Sequence, residues 1–233
     1  MSIESAPLSN NGLIMPPDFP VAHYESVHSK IQPRASTSRE IYEQFGGAWN
    51  AIAYRYLAVT EYEAAFTASL VDVGTSPQAT DRHQQERDLF GFFGNGFAVF
   101  EAAFYSLFAL GALVSVASFP ISTAKEQQRI NPTSTTDAIT KAFPNDPIVH
   151  TLNNVTSDSD YLDWREVRNV LTHRAAPGRI FFASVGGGTA IADQWKIKSI
   201  TLDVHMAPAR RAELSRLISD LLEAIDQFAA THL

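Results

Sequence analysis

The stretch that decides the fold is LFGFFGNGFAVFEAAFYSLFALGALVSVASF, residues 89–119, in which Glu101 is the only charged side chain. A run this apolar fits a helix buried on all sides, or a membrane span, which needs about 20 apolar residues. Glu101, the Gly-rich entry at 91–97 and the lack of flanking Lys or Arg clusters favour the buried helix. The sequence therefore predicts a central core helix from about Asp81 to Ser118. A protein anchored in a membrane by residues 89–119 is the alternative.

The composition around this stretch is that of an ordinary globular protein, with 45% hydrophobic and 18% charged residues in 233. A chain of this length suits one elaborated domain or two small ones. It contains no cysteine, which excludes disulfides and thiolate metal sites and is consistent with the cytoplasm. The first 20 residues lack the basic start and apolar run of a secretory signal. We therefore expect a cytoplasmic protein that is not associated with a membrane.

Two further long helices are predicted on either side of the central one. The first begins at Ser38 and ends near 74–77, with apolar residues at helical spacing: Ile41, Phe45, Trp49, Ile52 and Tyr56. The second begins at Pro208 and carries an apolar face from Leu214 to Phe228. Residues 120–158, rich in Pro, Thr, Asn and Asp, predict short helices and loops.

The predicted fold class is mainly α, a helical bundle with a small β-hairpin inserted before the C-terminal helix. Arg179–Val185 and Gln194–Asp203 are rich in β-branched and aromatic residues, and Gly186–Gly188 lie between them. Residues 1–36 show no steady periodicity and predict a flexible tail or an arm lying on the surface. The domain proper then spans 37–233, with the hairpin near 179–203.

The segment YLDWREVRNVLTHR, residues 161–174, carries the candidate chemistry. An N-cap cluster at 157–160 precedes it, and Ala176-Pro177-Gly178 ends the predicted helix. On a helical wheel one side carries the apolar residues Trp164, Val167 and Leu171. The opposite side carries Arg165, Asn169 and His173, with Glu166 beside them and Arg168 at the edge of the apolar stripe. The sequence thus predicts that His173 faces solvent or a partner chain.

Arg168, four intervening residues and His173 match the Arg-x4–6-His motif, and the segment RNVLTH resembles that of the HEPN superfamily. The polar Asn169 directly after the arginine is typical of that family. The resemblance implies a helical bundle, a homodimer that brings two motif helices together, and no cofactor. Active HEPN members are metal-independent endoribonucleases that use the RNA 2′-OH as nucleophile and leave 2′,3′-cyclic phosphate ends. It also implies a role in toxin–antitoxin or antiphage systems, with RNA and an antitoxin or regulatory protein as candidate partners.

The residue types in the motif suit this reaction. Histidine titrates near neutrality and can move protons at the reacting oxygens, so His173 is the predicted acid or base. The Arg168 guanidinium can grip a phosphate with two hydrogen bonds, and Asn169 can orient the imidazole or a phosphate oxygen. Because the net charge is −7, RNA binding requires a local basic patch. The predicted contributors to this patch are Arg165, Arg174 and Arg179.

One departure separates the chain from a HEPN subgroup. HEPN toxins paired with a nucleotidyltransferase antitoxin usually carry a tyrosine two positions after the histidine, where this chain has Ala175. A regulatory modification of that tyrosine is therefore not available here.

A catalytically silent HEPN module that binds a nucleotide, RNA or protein partner is the competing interpretation. In that case Arg168 only forms an ion pair, for which Glu101 is the expected partner because a buried charge requires one. Asn169 and His173 would then only stabilise the C-terminal end of the helix, where the helix dipole favours cations. The other histidines show no metal-ligand spacing, so no metal site is predicted.

Overall fold

Two long antiparallel helices form the frame of the molecule. The structure is a computed structural model and describes residues 12–173, 177–182 and 191–233. In this part of the chain the helices are α1 Val21–Ile31, α2 Arg39–Val73, α3 Ala79–Val114, α4 Ala124–Gln127, α5 Pro132–Ala142, α6 Pro147–Ser157, α7 Ser159–His173 and α8 Met206–His232. The strands are β1 Arg179–Phe182, β2 Ile191–Ile197 and β3 Ile200–Thr201. The prediction of a mainly helical protein with a small antiparallel sheet is confirmed.

Helices α2 and α3 each extend about 50 Å, at 1.5 Å per residue. Ser38 precedes α2 and Gly74 ends it with a φ of 68°, a left-handed conformation that glycine adopts without steric cost. The predicted bounds of α2 are confirmed. Helix α3 starts at Ala79 and stops at Val114, four residues before the predicted end, and a turn follows at Ser115–Ser118.

Helix α3 is the apolar centre of the bundle, as predicted. Its most apolar 18-residue stretch has a mean hydropathy of 1.9, which by length and composition would allow it to cross a membrane. In the folded chain 67% of that stretch is buried. Because the core helix of a soluble protein meets the same criterion, the expectation of a protein outside the membrane stays a prediction.

Helix α7 rests on α3 at a notch formed by a glycine. A Cβ atom added to Gly96 would lie 2.1 Å from Trp164 Cζ3, so only a residue without a side chain permits this approach. Trp164 is fully buried and contacts the rings of Phe92 and Phe93, with centroids 5.1 and 5.0 Å away. Packing at this point fixes α7, the motif helix that carries Arg168 and His173, against the centre of the bundle.

The N-terminal segment differs from the prediction. The flexible-tail interpretation is wrong for residues 12–36, because Val21–Ile31 form α1 and a 3-10 turn follows at Gln32–Ala35. The arm lies in the core rather than on its surface: Tyr24, Val27 and Ile31 are fully buried, and Tyr24 stacks on Trp49 of α2. Helical spacing of these apolar residues was present in the sequence, but it spans only three turns and is preceded by a Pro-rich stretch.

Polar contacts also bind this arm to the bundle. Asp18 accepts hydrogen bonds from Arg211 of α8 at 2.8 Å and from Tyr56 of α2 at 2.9 Å. Burial would raise the pKa of the Asp18 carboxyl, but these hydrogen bonds outweigh it and hold the pKa below its ordinary value. Asp226 of α8 likewise accepts hydrogen bonds from His23 and Lys30 of α1.

The sheet has three strands in the order β1-β2-β3, whereas the sequence predicted a simple hairpin. The predicted second strand is divided by a turn at Lys198–Ser199, where Lys198 has a φ of 54°. Pairing of β1 with β2 is antiparallel, as expected for the hairpin. The turn predicted at Gly186–Gly188 lies outside the described residues.

The remaining helices follow the prediction. Residues 120–158 form α4, α5 and α6, each capped by a side-chain oxygen, from Thr123, Asn131 and Asp146. Asp158 accepts the Asp160 N–H at 2.8 Å at the start of α7, inside the predicted N-cap cluster. Helix α8 begins two residues before Pro208.

The Gly96 notch gives a matched pair of substitutions in α3. We expect Gly96→Ala to lower the free energy of unfolding by about 1–3 kcal/mol or more, because the new methyl group collides with Trp164. Gly94→Ala should instead raise it by about 0.5–1 kcal/mol, because an added Cβ there meets nothing within 4 Å and alanine favours helix. Urea unfolding of the two variants measures this difference, and equal effects would show that α7 does not depend on the notch.

Candidate functional site

The motif helix presents one side to α3 and the other to solvent. Tyr161, Trp164 and Val167 are buried, Leu171 is partly buried, and Arg165 and His173 are exposed. Tyr161 packs against Phe97 and Phe100 of α3, with ring centroids 5.6 and 5.1 Å apart. The helical-wheel prediction of the two faces is confirmed.

Arg168 occupies the border between these faces and is held from three directions. Its guanidinium carbon lies 4.6 Å above the Phe97 ring, a cation–π contact. Its Nη2 donates to Glu101 Oε1 of α3, and its Nη1 donates to Asn169 Oδ1 at 3.2 Å. The expected pairing of Arg168 with Glu101 is confirmed.

The Arg168–Glu101 pair lies at the surface rather than deep in the core. The Arg168 side chain is 23% exposed and the Glu101 side chain is 45% exposed. An ion pair this accessible to water contributes little to stability, commonly less than about 1 kcal/mol. Solvent, or an anion from solvent, can therefore reach both partners.

His173 is the last residue of α7, and its side chain is exposed. Arg165 and Asn169 lie two turns and one turn earlier on the same helix, with Arg165 exposed and Asn169 half-buried. The cation of Arg165, the amide of Asn169 and the imidazole of His173 thus lie in a row along the helix, with Arg168 beside them. A phosphodiester bound along this row would meet a planar cation and a proton-transfer group.

Glu166 connects the motif helix to the sheet. It forms an ion pair with Lys198 Nζ in the turn between β2 and β3. The left-handed conformation of Lys198 belongs to that tight turn. The predicted supporting role of Glu166 therefore corresponds, in this structure, to a tether between α7 and the sheet.

The structure does not present Arg179, predicted to bind substrate, to solvent. Its side chain is 3% exposed and donates to Thr75 O and Gln85 Oε1, both at 3.0 Å. The guanidinium carbon stacks 3.8 Å from the Trp195 ring, and burial lowers the pKa of Arg179, against which Glu86 acts. Arg179 fastens β1 to the α2–α3 turn, a role that its closeness to the motif in sequence did not indicate. Of the other two predicted contributors to the patch, Arg165 is exposed on α7 and Arg174 lies outside the described residues.

Tyr161 is a residue of this site that sequence reasoning assigned only to the helix. Burial raises the pKa of its hydroxyl to about 12, with Glu101 acting in the same direction and Arg165 and Arg168 against it. The phenol therefore remains protonated and lies in the electrostatic field of the motif. Its position seven residues before Arg168, two turns along one helix face, was the available signal.

No metal centre accompanies these groups in the described ranges, where no cluster of three or more His, Asp or Glu side chains is placed to hold an ion. Comparison of the chain with protein-family models, with curated proteins and with solved structures finds no match.

The buried and exposed arginines should respond differently to substitution. We expect Arg179→Lys to lower the free energy of unfolding by about 2–4 kcal/mol, because lysine cannot replace both hydrogen bonds and the stacking on Trp195. Arg165→Lys, the matched exposed control, should change it by less than about 0.5 kcal/mol. Chemical denaturation measures both, and an unaffected Arg179→Lys would contradict the anchoring role.

Proposed function

We propose that this chain is a HEPN-type, metal-independent endoribonuclease that acts as a homodimer. The observation that carries the proposal is the arrangement on α7: a guanidinium held above Phe97 and, five residues later on the same helix, an exposed imidazole. RNA cleavage requires a cation at the phosphate and a group that moves protons near neutral pH. Arg168 and His173 supply these two functions.

In the proposed reaction a neutral His173 takes the proton of the RNA 2′-OH. The 2′-oxygen forms a bond to phosphorus while the bond from phosphorus to the 5′-oxygen breaks. A proton is delivered to the departing 5′-oxygen, and the products are a 2′,3′-cyclic phosphate and a 5′-OH end. Arg168 offsets the negative charge that develops on the phosphate oxygens, and Asn169 keeps the guanidinium oriented through its 3.2 Å hydrogen bond.

Glu101 must leave Arg168 before a phosphate can be gripped by both terminal nitrogens. Its side chain is half-exposed and can turn into solvent. Phe97 lies under the guanidinium and retains it when the carboxylate departs. Glu101 is thus a competitor of the RNA phosphate for Arg168.

Two proton transfers per cleavage favour the homodimer. One proton is removed from the 2′-OH and another is delivered to the 5′-oxygen, whereas the motif provides a single histidine per chain. Two motif helices facing one another would provide a base and an acid. A cytoplasmic enzyme restrained by an antitoxin or another regulatory protein, in a toxin–antitoxin or antiphage role, is consistent with this proposal.

A catalytically silent HEPN module is the second candidate, and the Arg168–Glu101 ion pair favours it. In this alternative Arg168 remains paired and only joins α7 to α3. The helical surface would then bind a nucleotide, RNA or protein partner without cleaving anything.

Cleavage of a varied RNA pool in EDTA tests the proposal. We expect the parent protein to leave cyclic phosphate ends, and His173→Ala and Arg168→Ala to lose roughly 100-fold or more of the rate, because each removes a group acting on the transition state. His83→Ala and Arg39→Ala, exposed residues outside the motif, are the matched controls and should cleave at the parent rate. A folded parent that leaves the RNA intact would contradict the enzyme and leave the silent module.

Glu101→Gln tests the competition for Arg168. Removing the negative charge while retaining the shape of the side chain should increase the cleavage rate at low RNA concentration by roughly two- to five-fold, since exposed pairs contribute about 0.2–1 kcal/mol. The melting temperature should hardly change. A strong decrease in cleavage would instead show that the carboxylate positions Arg168 productively.

A further inference from the structure

A groove between α2 and α3 lies beside the contact of Arg55 with Asn95. Its volume is about 360 Å³, and residues of α2 line it together with Asn95 of α3. The lining side chains are Gly47, Asn50, Ala51, Tyr54, Arg55 and Ala58 of α2. Glycine and alanine at three of these positions leave a shallow floor, on which a flat ligand can lie.

An exposed ring and a planar cation border this floor. Tyr54 is 54% exposed, which leaves much of its aromatic face in contact with water. The neighbouring Arg55 is exposed, and its Nη1 donates to Asn95 Oδ1 at 2.9 Å. Asn95 is itself fixed by donating to Gly91 O at 2.7 Å. This chain of hydrogen bonds restrains the guanidinium while using one of its five N–H donors.

Charge distinguishes this groove from other cavities of the described chain. A cavity of about 500 Å³ between α6 and α8 is lined by Asp158, Asp220 and Glu223, and its Arg216 is already paired with carboxylates. Another of about 260 Å³ is lined by Glu40 and Glu43. The α2–α3 groove contains an arginine and no acidic residue. In a protein of net charge −7, a cavity with this lining is suited to an anionic ligand with a flat ring.

Only a short length of α3 separates the groove from the Arg168 site along the helix axis. Asn95 contacts α2 and Glu101 contacts α7, six residues further along α3, a rise of about 9 Å. Gly94 and Ala98 occupy the face of α3 between them, and an added Cβ on Gly94 would meet nothing within 4 Å. Small or absent side chains therefore leave the surface of α3 unobstructed between the Arg168 site and the groove.

We infer that the α2–α3 groove is a nucleobase-binding subsite, in which an unpaired base of an RNA strand stacks on Tyr54 and Arg55. Proteins bind single-stranded RNA by stacking its bases on aromatic rings and guanidinium planes. The Asn95 amide is placed to accept or donate at the edge of the base. The identification of the strand as RNA rests on the proposed function. In this subsite Tyr54 and Arg55 contribute to the selection of the RNA substrate.

The test is binding of a fluorescein-labelled 2′-O-methyl tetra-adenylate, which cannot be cleaved because its 2′-oxygens are blocked. We expect Tyr54→Ala and Arg55→Gln to weaken binding about 10-fold or more, since each removes a stacking surface. Tyr54→Trp should restore it, because stacking needs the ring and not the hydroxyl. Phe90→Ala and Arg39→Gln, an exposed aromatic and an exposed arginine outside the groove, are the matched controls and should bind as the parent does.

Three outcomes would overturn the subsite. The first is a parent protein that does not bind the probe, and the second is a Tyr54→Ala variant that binds it as tightly as the parent does. The third is a dimer that dissociates in sedimentation experiments when Tyr54 is replaced by Ala, which would make the groove an interface between copies. Binding that depends on Tyr54 without any RNA cleavage would refute the proposed enzyme and leave the subsite standing. Cleavage that is independent of Tyr54, with no binding of the probe in the groove, would refute the subsite alone.

Discussion

The contact between Trp164 and Gly96 determines where the motif helix lies. An indole fits against α3 only where the opposing residue has no side chain. Gly96 provides that gap at the middle of a helix that carries several buried Phe side chains. The burial of the ring outweighs the cost of leaving Trp164 Nε1 without a hydrogen-bond partner among the described residues. Once α7 is seated, Arg168 comes to lie above Phe97 and beside Glu101. The charged groups of the site thus follow from an apolar contact.

Around this contact the chain separates its structural and its accessible arginines. Arg179 and Arg211 are bound by several acceptors from different elements, and they fasten the sheet and the N-terminal arm to the bundle. Arg165 and Arg55 are exposed, and Arg168 lies between these classes, paired but open to water. Partial exposure is what a phosphate-binding residue requires, because a fully buried pair would not release its carboxylate. The proposed phosphate site at Arg168 and the proposed nucleobase subsite in the α2–α3 groove both depend on arginines that solvent can reach.

Helical periodicity predicted the long elements well, because each buries one face over many turns and the pattern repeats. The bounds of α2, the burial of α3 and the division of α7 into two faces were all expected from the sequence. Shorter elements were harder to predict. Helix α1 has only three turns, and its weak periodicity predicts a tail or a surface arm instead. The turn at Lys198 divides a strand that composition predicts to be continuous. In both places contacts with distant residues outweigh weak local preference.

The sequence by itself determined the helical class, the apolar centre and the order of Arg165, Arg168, Asn169 and His173 along one helix, because these depend on the period of the α-helix. It also allowed the pairing of Arg168 with Glu101 to be expected, since Glu101 is the one charge in a long apolar run. Only the tertiary structure decided that Arg179 is buried and anchors the sheet, and that Tyr161 packs against Phe97 and Phe100. The fold likewise brings Tyr54 and Arg55 of α2 into one groove with Asn95 of α3, which follows Arg55 by 40 residues in the chain. Neighbours across helices depend on which small residues let two backbones approach, and that is a property of packing rather than of local periodicity.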